Sequence, residues 1–185
     1  SAGGLVDVAT AAATPAALLL SGPAGGVRAA AAVATACGHP DAISFDMGGT
    51  STDVCLVREG QPEIKTDWNW RYRYYIGLPM VDVPSVGAGG GSIAWVSPEG
   101  TLKVGPRSAG ASPGPACYPG GGREPTTTDA FLLLGHIPEH LLGGEIPLSR
   151  DAAVAVYERL ASSVGLDVEA CAAGVLEIAA WNQAN

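Results

Sequence analysis

The stretch that most constrains the fold is Phe45-Asp46-Met47-Gly48-Gly49-Thr50-Ser51-Thr52-Asp53-Val54. Apolar runs at residues 42–45 and 54–57 flank it, so we expect two short strands joined by a tight turn. Two glycines without a Cβ, followed by three hydroxyl residues, allow N–H and O–H groups to converge on an anion. The pattern therefore predicts a phosphate-binding turn whose contacting residues are Gly48, Gly49, Thr50, Ser51 and Thr52.

Two carboxylates bracket this turn. Asp46 would lie beside the phosphates, where a carboxylate repels them unless a divalent cation lies between, and Mg²⁺ suits oxygen ligands and phosphates. Asp53 could order the hydroxyls or a second water. We therefore predict Asp46 and Asp53 as catalytic residues and Asp46 also as the metal ligand.

The same stretch has a competing interpretation as an ordinary β-hairpin, because Asp-x-Gly-Gly also occurs in plain turns. Two other phosphate-binding motifs are excluded. The stretch is not a Walker loop, since no Gly-Lys-Ser/Thr follows it, and not a Rossmann fingerprint, since a strand rather than a helix comes next.

A second glycine-rich segment, Gly87-Ala88-Gly89-Gly90-Gly91-Ser92, follows an expected strand at residues 81–86. Consecutive glycines let the backbone approach a ligand closely, although a flexible loop fits the segment equally well. The predicted nucleotide-binding residues here are Gly89, Gly90, Gly91 and Ser92.

A third segment, residues 104–118, leads to Thr126-Thr127-Thr128-Asp129-Ala130. Arg107 could bind a substrate carboxylate through two hydrogen bonds. Asp129 could polarise a bound group, which makes it the third predicted catalytic residue, but a carboxylate at a helix N-terminus explains it as well. Covalent catalysis by Cys117 is not expected, because the sequence places no histidine as its base.

The remaining pattern predicts helices and short strands. Residues 16–20 are expected to form an apolar strand, and Ser21 to cap a helix that Gly38 ends. Glu59-Gly60 is expected to form a turn after the strand at 54–57. Helices are expected at 126–134, 151–164 and 168–181, the last with a core stripe of Cys171, Val175, Ile178 and Trp181. Hairpins are expected at 93–104 and at 68–75; the latter could instead form a base-stacking platform.

Composition excludes several classes of protein. With 10 Lys and Arg against 18 Asp and Glu, the net charge is −8, so no basic patch is available for nucleic acid. The apolar runs are too short to span a membrane, and we expect a soluble protein without a membrane partner. Four scattered cysteines without a CxxC pair support neither zinc nor disulfides, so a reducing cytoplasm is expected.

Together these segments resemble the hydantoinase A / 5-oxoprolinase family, which includes subunits of acetone and acetophenone carboxylases. The resemblance covers nearly the whole chain. It rests on Ser21-Gly22-Pro23-Ala24-Gly25-Gly26-Val27, on residues 45–54, 87–93 and 105–118, and on Thr128-Asp129-Ala130.

The resemblance implies a fold similar to the actin, Hsp70 and sugar-kinase ATPases, in which two lobes clasp ATP. The expected fold class is α/β, a ribonuclease-H-like lobe with a Gly/Pro-rich insertion and C-terminal helices. Residues 1–185 would be a single partial domain, the second lobe, without the N-terminal lobe.

The resemblance also implies ATP-dependent ring opening of a cyclic amide such as a hydantoin or 5-oxoproline, after phosphorylation of the carbonyl oxygen. ATP and Mg²⁺ would be required, a hydantoinase B-type subunit could be a partner, and the isolated chain would be inactive. The alternatives are a nucleotide-handling subunit of a ketone carboxylase and a non-catalytic module whose glycine loops form a subunit interface.

Overall fold

The computed structural model describes residues 2–69 and 75–184. Helices and strands are mixed along the chain, which confirms the α/β character expected from the sequence. The chain divides into two units: unit 1 comprises Ser1–Asp46 and Asp53–Ser85, and unit 2 comprises Met47–Thr52 and Val86–Asn185. The turn predicted to bind phosphate therefore belongs to unit 2, and the two acids that bracket it belong to unit 1.

Unit 1 is built from two α-helices, one 3₁₀ helix and short strands. Its helices are α1 (Val8–Ala13), the 3₁₀ helix Pro15–Leu18 and α2 (Ser21–Ala36). Its strands are β1 (Ala42–Met47), β2 (Thr52–Arg58), β3 (Gln61–Pro62), β4 (Ile64–Lys65), β5 (Trp68–Asn69), β6 (Tyr75–Ile76), β7 (Met80–Val81) and β8 (Ser85–Val86), of which β1, β2 and β8 reach into or border unit 2.

A four-stranded sheet in the order β1-β2-β3, with β8 also paired to β2, forms the frame of unit 1. Helix α2 packs on it through Ala24, Val27 and Ala31, which recur on one helical face and are buried with Cys55 and Val57. Small side chains on that face allow a close approach of helix and sheet.

Several turns in unit 1 lie where the sequence predicts them. Gly38 follows α2 with a φ of 82°, a left-handed conformation that glycine adopts without strain, and ends the helix. Glu59 and Gly60, with φ of 51° and 73°, form the two-residue turn between β2 and β3. Both predictions are confirmed.

The prediction of a strand at residues 16–20 is wrong. Pro15 begins a 3₁₀ helix there, because its fixed φ suits a first helical turn and the following Ala-Ala-Leu residues favour helix over strand. Ser21 is not a cap either: the cap position is Leu20, in a left-handed conformation with no side-chain hydrogen bond, and Ser21 is already helical.

The strand expected at residues 81–86 is also corrected. It is divided into β7, which pairs with β4, and β8, since Pro84 between them has no N–H to donate to a ladder. The aromatic hairpin expected at 68–75 is present as the antiparallel pair β5 and β6. Its connecting residues 70–74, and with them most of the proposed stacking platform, lie outside the described residues.

Unit 2 combines a β-hairpin with three helices. Its elements are β9 (Ser92–Val96), β10 (Leu102–Ser108), α3 (Thr127–Leu133), β11 (His140–Leu141), a 3₁₀ helix Leu142–Gly144, β12 (Ile146–Pro147), α4 (Arg150–Val164) and α5 (Val168–Ala184). The β9–β10 hairpin and the three helices confirm the sequence prediction for this region.

The core of unit 2 lies between this hairpin and the helices. Ala94 and Val104 of the hairpin are buried together with Leu132 of α3, Tyr157 of α4 and Val175 of α5. The predicted stripe on α5 is partly wrong, because Trp181 is 65% exposed and Ala179 is buried. Positions 171, 175 and 179 recur every four residues, so the buried face drifts from the one predicted.

Candidate functional site

The turn 48–51 connects β1 and β2, and because it has four residues the two adjacent strands run antiparallel. It is closed by a hydrogen bond from the Gly48 amide to the Ser51 carbonyl (2.8 Å). Gly48, Gly49 and Thr50 are exposed, and Ser51 is half-buried. The structure therefore presents the predicted tight turn at the end of two strands.

The second glycine-rich segment packs directly on this turn within unit 2. The amide of Gly90 donates to the Gly48 carbonyl (2.9 Å), and the amide of Gly91 donates to the Gly49 carbonyl (2.6 Å). A Cβ on Gly89 would lie 2.7 Å from the Gly48 oxygen and 2.8 Å from the Ser51 nitrogen. Glycine is required there because backbone meets backbone.

These two hydrogen bonds orient the donors of the turn. In a planar trans peptide the carbonyl and the following N–H point in opposite directions. The carbonyls of Gly48 and Gly49 face the glycine segment, so the N–H groups of Gly49 and Thr50 point away from it. Within the described residues, the amides of Gly49, Thr50 and Ser51 and the hydroxyls of Thr50 and Ser51 have no acceptor.

Successive backbone N–H groups without internal acceptors form a concavity that binds anions. Three amides and two hydroxyls on three residues can supply several hydrogen bonds to a phosphate without any side-chain charge. The geometry therefore suits the predicted phosphate contacts of Gly49, Thr50 and Ser51, which remain a prediction. The Gly48 amide already donates to the Ser51 carbonyl, so the geometry gives no support to the predicted contact of Gly48.

The glycine segment itself has a different role. The Gly89 amide donates to the Ser92 Oγ (2.9 Å), and the Ser92 amide donates to the Gly89 carbonyl (3.0 Å). With Gly90 and Gly91 bonded to the turn, all four amides of residues 89–92 already have acceptors. Direct nucleotide binding by Gly89, Gly90, Gly91 and Ser92 stays a prediction, whereas their support of the turn is observed.

Helix α3 holds the glycine segment in place. The amide and the hydroxyl of Thr128 both donate to the Gly90 carbonyl, at 2.7 and 2.8 Å. A Cβ on Gly90 would lie 2.6 Å from that hydroxyl oxygen. The turn, the glycine segment and the start of α3 are therefore joined by backbone contacts.

Thr52 differs from its neighbours in the turn. Its side chain is fully buried, and its hydroxyl donates to the Ala88 carbonyl (2.6 Å) and accepts from Gln183 Nε2 (3.0 Å). The predicted phosphate contact of Thr52 is not supported by this geometry, because its donor is already used. Gln183 was missed by sequence reasoning, and a single glutamine near the end of a helix gives no signal that could have identified it.

Asp46 is exposed and is the second-last residue of β1, and Asp53 is half-buried and is the second residue of β2. Neither carboxylate has a hydrogen bond or ion pair with any residue in 2–69 or 75–184. Both groups are therefore free to meet a ligand or an ion, as their predicted roles require.

Asp129 is buried at the start of α3 and is surrounded by donors. Its carboxylate accepts from the amides of Cys117 (2.8 Å) and Ala116 (3.3 Å) and from the amide and hydroxyl of Thr126 (2.9 and 2.8 Å). Together Thr126 and Asp129 form a capping box, which confirms the helix-terminus interpretation. The catalytic role of Asp129 stays a prediction that this buried, fully bonded carboxylate does not favour.

Cys117 adjoins Asp129 in the core. Burial raises the pKa of the Cys117 thiol, and the negative charge of Asp129 raises it further. The thiol is therefore protonated at neutral pH and has the opposite character to an activated nucleophile.

Arg107 lies in β10 and is ion-paired on the surface. Its Nη2 is 2.8 and 2.9 Å from the two carboxylate oxygens of Glu124. Both residues line a cavity of about 340 Å³ together with Arg123 and Ser112. Substrate binding by Arg107 stays a prediction, and a substrate carboxylate would have to replace Glu124.

A second cavity, of about 300 Å³, opens beside the turn within unit 2. Backbone of Gly48, Gly49 and Gly90 lines it together with the side chains of Phe131 and Ile137. Apolar walls next to free N–H donors are typical of small-molecule sites. Sequence reasoning missed these apolar residues, since they resemble ordinary core positions of a helix and the loop after it.

Neither a metal cluster nor a membrane-spanning helix is found in the part of the chain that the structure describes. Across 2–69 and 75–184, no group of three or more His, Cys, Asp and Glu side chains is placed to hold a metal ion. In those same residues, no helix combines the length and the apolar composition that crossing a bilayer requires.

Two relatives of known name share much of this sequence. The chain is 48% identical over 160 residues to caprolactamase subunit alpha of Pseudomonas jessenii, covering 85% of this chain and 23% of that protein. It is 40% identical over 189 residues to the acetophenone carboxylase gamma subunit of Aromatoleum aromaticum, covering 100% of this chain and 25% of that protein. The chain thus spans about a quarter of these relatives.

The fold matches a solved structure as well. The crystal structure of the ATP-dependent caprolactamase from Pseudomonas jessenii superposes with a TM-score of 0.76 at 46% identity, covering 88% of this chain and 24% of that chain. The model of the hydantoinase/oxoprolinase family matches residues 1–185. The chain therefore belongs to the hydantoinase/oxoprolinase family.

Proposed function

We propose that the full-length protein carrying this chain catalyses the ATP-dependent ring opening of a cyclic amide. The chain would supply part of the phosphate site. The observation that carries the proposal is the turn 48–51, with three free amides and two free hydroxyls between two free carboxylates. The relation to an ATP-dependent caprolactamase, whose name specifies a cyclic amide, supports it.

The chemistry requires activation of a poor electrophile. In the proposed reaction the amide oxygen attacks the γ-phosphorus of ATP, and ADP leaves. Water then attacks the amide carbon, the ring C–N bond breaks as the nitrogen takes a proton, and a second water releases inorganic phosphate from the acyl phosphate that remains. Amides and hydroxyls of Gly49, Thr50 and Ser51 would hold the phosphate oxygens and offset the charge that develops on them during transfer.

Mg²⁺ is part of this proposal. Asp46 fits the ion, because it offers a free carboxylate next to the turn in the chain, and Mg²⁺ in phosphate sites takes one or two carboxylates plus phosphate oxygens. When bound, the ion would neutralise the charge between that carboxylate and the phosphates. Asp53 would order water or the hydroxyls of the turn.

We also propose that the chain belongs to a ribonuclease-H-like lobe of the actin, Hsp70 and sugar-kinase type, and that a further lobe would complete the ATP site. Three features support this: the position of the turn between two strands, the glycine segment behind it, and the helices of unit 2. A second subunit is a further proposal, supported by relatives that are named as subunits.

A ketone carboxylase is the second candidate function. It shares the phosphorylation step, and the 40% identity to an acetophenone carboxylase subunit over the whole chain favours it. The two functions differ in the step after phosphorylation: addition of water opens a ring, whereas carboxylation adds CO₂ to an enolised ketone.

The test is an ATPase assay of the full-length protein with lactams and hydantoins, and with ketones plus bicarbonate. Asp46→Ala should abolish nucleotide turnover without lowering the melting temperature. Asp151→Ala, an exposed aspartate in the first turn of α4, is the matched control and should retain activity. Unchanged ATPase in Asp46→Ala would overturn the assignment, and stimulation by ketone with incorporation of bicarbonate would favour the carboxylase.

A further inference from the structure

Gln183 lies near the C-terminal end of α5 and contacts the base of the phosphate turn, 131 positions away in the chain. Its Nε2 donates to the Thr52 hydroxyl (3.0 Å) and lies 3.4 Å from the Ala88 carbonyl. The Thr52 hydroxyl in turn donates to the same carbonyl (2.6 Å). The three groups form one closed network within unit 2.

The network joins the two glycine-rich segments where each begins or ends. Thr52 directly follows the turn 48–51, and Ala88 directly precedes Gly89, whose Cβ position touches the turn. A hydrogen bond from Gln183 to this junction therefore acts on both segments together. The turn is held from the glycine segment at residues 90 and 91 and from α5 at residue 52.

Helix α5 is a firm support for such a contact. Cys171, Ala172, Val175 and Ala179 are buried on one of its faces in the core of unit 2. Close packing of this kind fixes the axis of the helix, so a side chain at its end has a defined position. Through Gln183, the packed helix α5 therefore holds Thr52, the residue that follows the turn, in a fixed position.

We propose that Gln183 is a positioning residue for nucleotide binding, which holds the turn so that the amides of Gly49, Thr50 and Ser51 converge on phosphate. The inference rests on the proposed ATP-dependent function. Gln183 does not itself reach the free donors of the turn. It acts through Thr52 and Ala88.

Gln183→Met is the first test, because it keeps the length of the side chain and removes the donor. Asn182→Leu is the matched control: Asn182, one residue earlier, donates to the Val104 carbonyl (3.1 Å) and makes no hydrogen bond to the turn within the described residues. The readouts in the full-length protein are KM and kcat for ATP and the hydrogen exchange of the Gly90 and Gly91 amides, which donate to the Gly48 and Gly49 carbonyls of the turn.

We expect Gln183→Met to raise the KM for ATP by roughly tenfold, the effect of losing about one hydrogen bond's worth of preorganisation. Exchange of the Gly90 and Gly91 amides should become faster, because their bonds to the turn carbonyls open more often, while kcat changes less than KM. Asn182→Leu should leave both readouts at the wild-type value. Thr52→Val removes both hydrogen bonds of the Thr52 hydroxyl, the one to Ala88 and the one from Gln183. Adding Gln183→Met to Thr52→Val should therefore change the readouts little further.

Other outcomes overturn the proposal. Unchanged exchange in Gln183→Met, or faster exchange with unchanged ATP kinetics in an active enzyme, excludes the positioning role, as does an equal effect of Asn182→Leu. If Gln183→Met does not fold, Gln183→Leu, which also removes the donor, decides on the same readouts. If the wild-type protein shows no ATP turnover, both the proposed function and the role of Gln183 in ATP binding are excluded. Hydrogen exchange would still show whether Gln183 holds the turn.

Discussion

The two glycine-rich segments of unit 2 look alike in sequence and differ in their hydrogen bonds. In the turn 48–51, the amides of three residues have no acceptor within the described chain. In the segment 89–92, every amide has one, and two of them hold the turn. One segment therefore offers donors to a ligand, and the other holds the first in position.

The difference shows how a glycine-rich motif should be interpreted. Glycine permits close approach, but the approaching partner can be a ligand or the protein's own backbone. At Gly89 the partner is the backbone of Gly48 and Ser51. The hydrogen-bond partners of the amides, rather than the number of glycines, distinguish the two cases.

The largest effect is expected from Gly89→Ala. Its Cβ would meet the backbone of the turn at 2.7 Å, which cannot move as a flexible side chain can, so the turn must shift. Stability should fall by about 1–3 kcal/mol, and kcat/KM for ATP should fall by about 100-fold because the donors are misplaced. Urea denaturation and ATPase kinetics of the full-length protein measure these effects.

Gly87→Ala is the control for this change. Gly87 is exposed, and no atom lies within 4 Å of its Cβ position. Stability and activity should stay at the wild-type value. An active, stable Gly89→Ala protein would show that the close packing of the two segments is dispensable.

The second effect concerns Asp129, whose carboxylate binds amides of the Gly/Pro-rich stretch before α3. Asp129→Asn keeps the shape of the side chain but removes the negative charge. One of the two oxygens that accept hydrogen bonds from Cys117, Ala116 and Thr126 becomes an NH₂ group, which is itself a donor and therefore cannot accept from them. We expect a loss of about 2–3 kcal/mol in the free energy of unfolding.

Measurements on Asp129→Asn separate the two interpretations of this residue. A capping role predicts a lower urea midpoint with ATP kinetics that recover at low temperature, where the variant is folded. Lost turnover in a variant of wild-type stability would instead support the catalytic role.

A smaller effect is expected at the open side of the turn. Thr50→Ala removes a free hydroxyl, so it should weaken Mg·ATP binding by about 1 kcal/mol, or roughly fivefold, and leave the melting temperature unchanged. Ser92→Ala removes the acceptor of the Gly89 amide and should instead lower stability by about 1 kcal/mol. Calorimetric titration measures the loss of Mg·ATP binding, and thermal melts measure the loss of stability. If Thr50→Ala lowered stability and Ser92→Ala weakened binding, the roles assigned to the two segments would have to be exchanged.

Local pattern predicted much of this architecture. Turn chemistry located Gly38 and the Glu59-Gly60 turn, and helical periodicity located α3, α4 and α5, because these features depend on neighbouring residues. The 3₁₀ helix at Pro15 was missed, since a run of Ala and Leu fits either a short strand or a helix.

The sequence motif of the candidate site could be predicted, but the hydrogen bonds that hold it in place could not. The position of the turn is evident from residues 45–54. The use of the Thr52 hydroxyl by Ala88 and Gln183 depends on pairs 36 and 131 positions apart, which no local pattern contains. The direction of the amides also required the partners of Gly48 and Gly49, which only the folded chain shows.

The smallest effect tests whether the Gly/Pro-rich stretch is as closed as its hydrogen bonds indicate. Cys117 lies in it and is buried, as are Cys55 and Cys171, whereas Cys37 is exposed. Among the four cysteines of this chain, a thiol reagent such as dithionitrobenzoate should label Cys37 in the native protein and all four in urea. Rapid labelling of Cys117 would show that the stretch opens readily and that its hydrogen bonds to Asp129 do not keep it closed.

The same thiols predict an alkaline dependence of stability. Burial raises the pKa of Cys117, Cys171 and Cys55 above the value in the unfolded chain, so the folded protein binds more protons once the unfolded thiols ionise. Stability is therefore full below the unfolded thiol pKa of about 8.5 and declines as the pH rises beyond it. The change of the urea midpoint with pH between pH 8 and pH 10 measures this decline. The decline should be smaller in Cys117→Ala, because that variant has no thiol at position 117 to ionise in the unfolded chain. An unchanged decline would show that Cys117 is not buried deeply enough to resist ionisation.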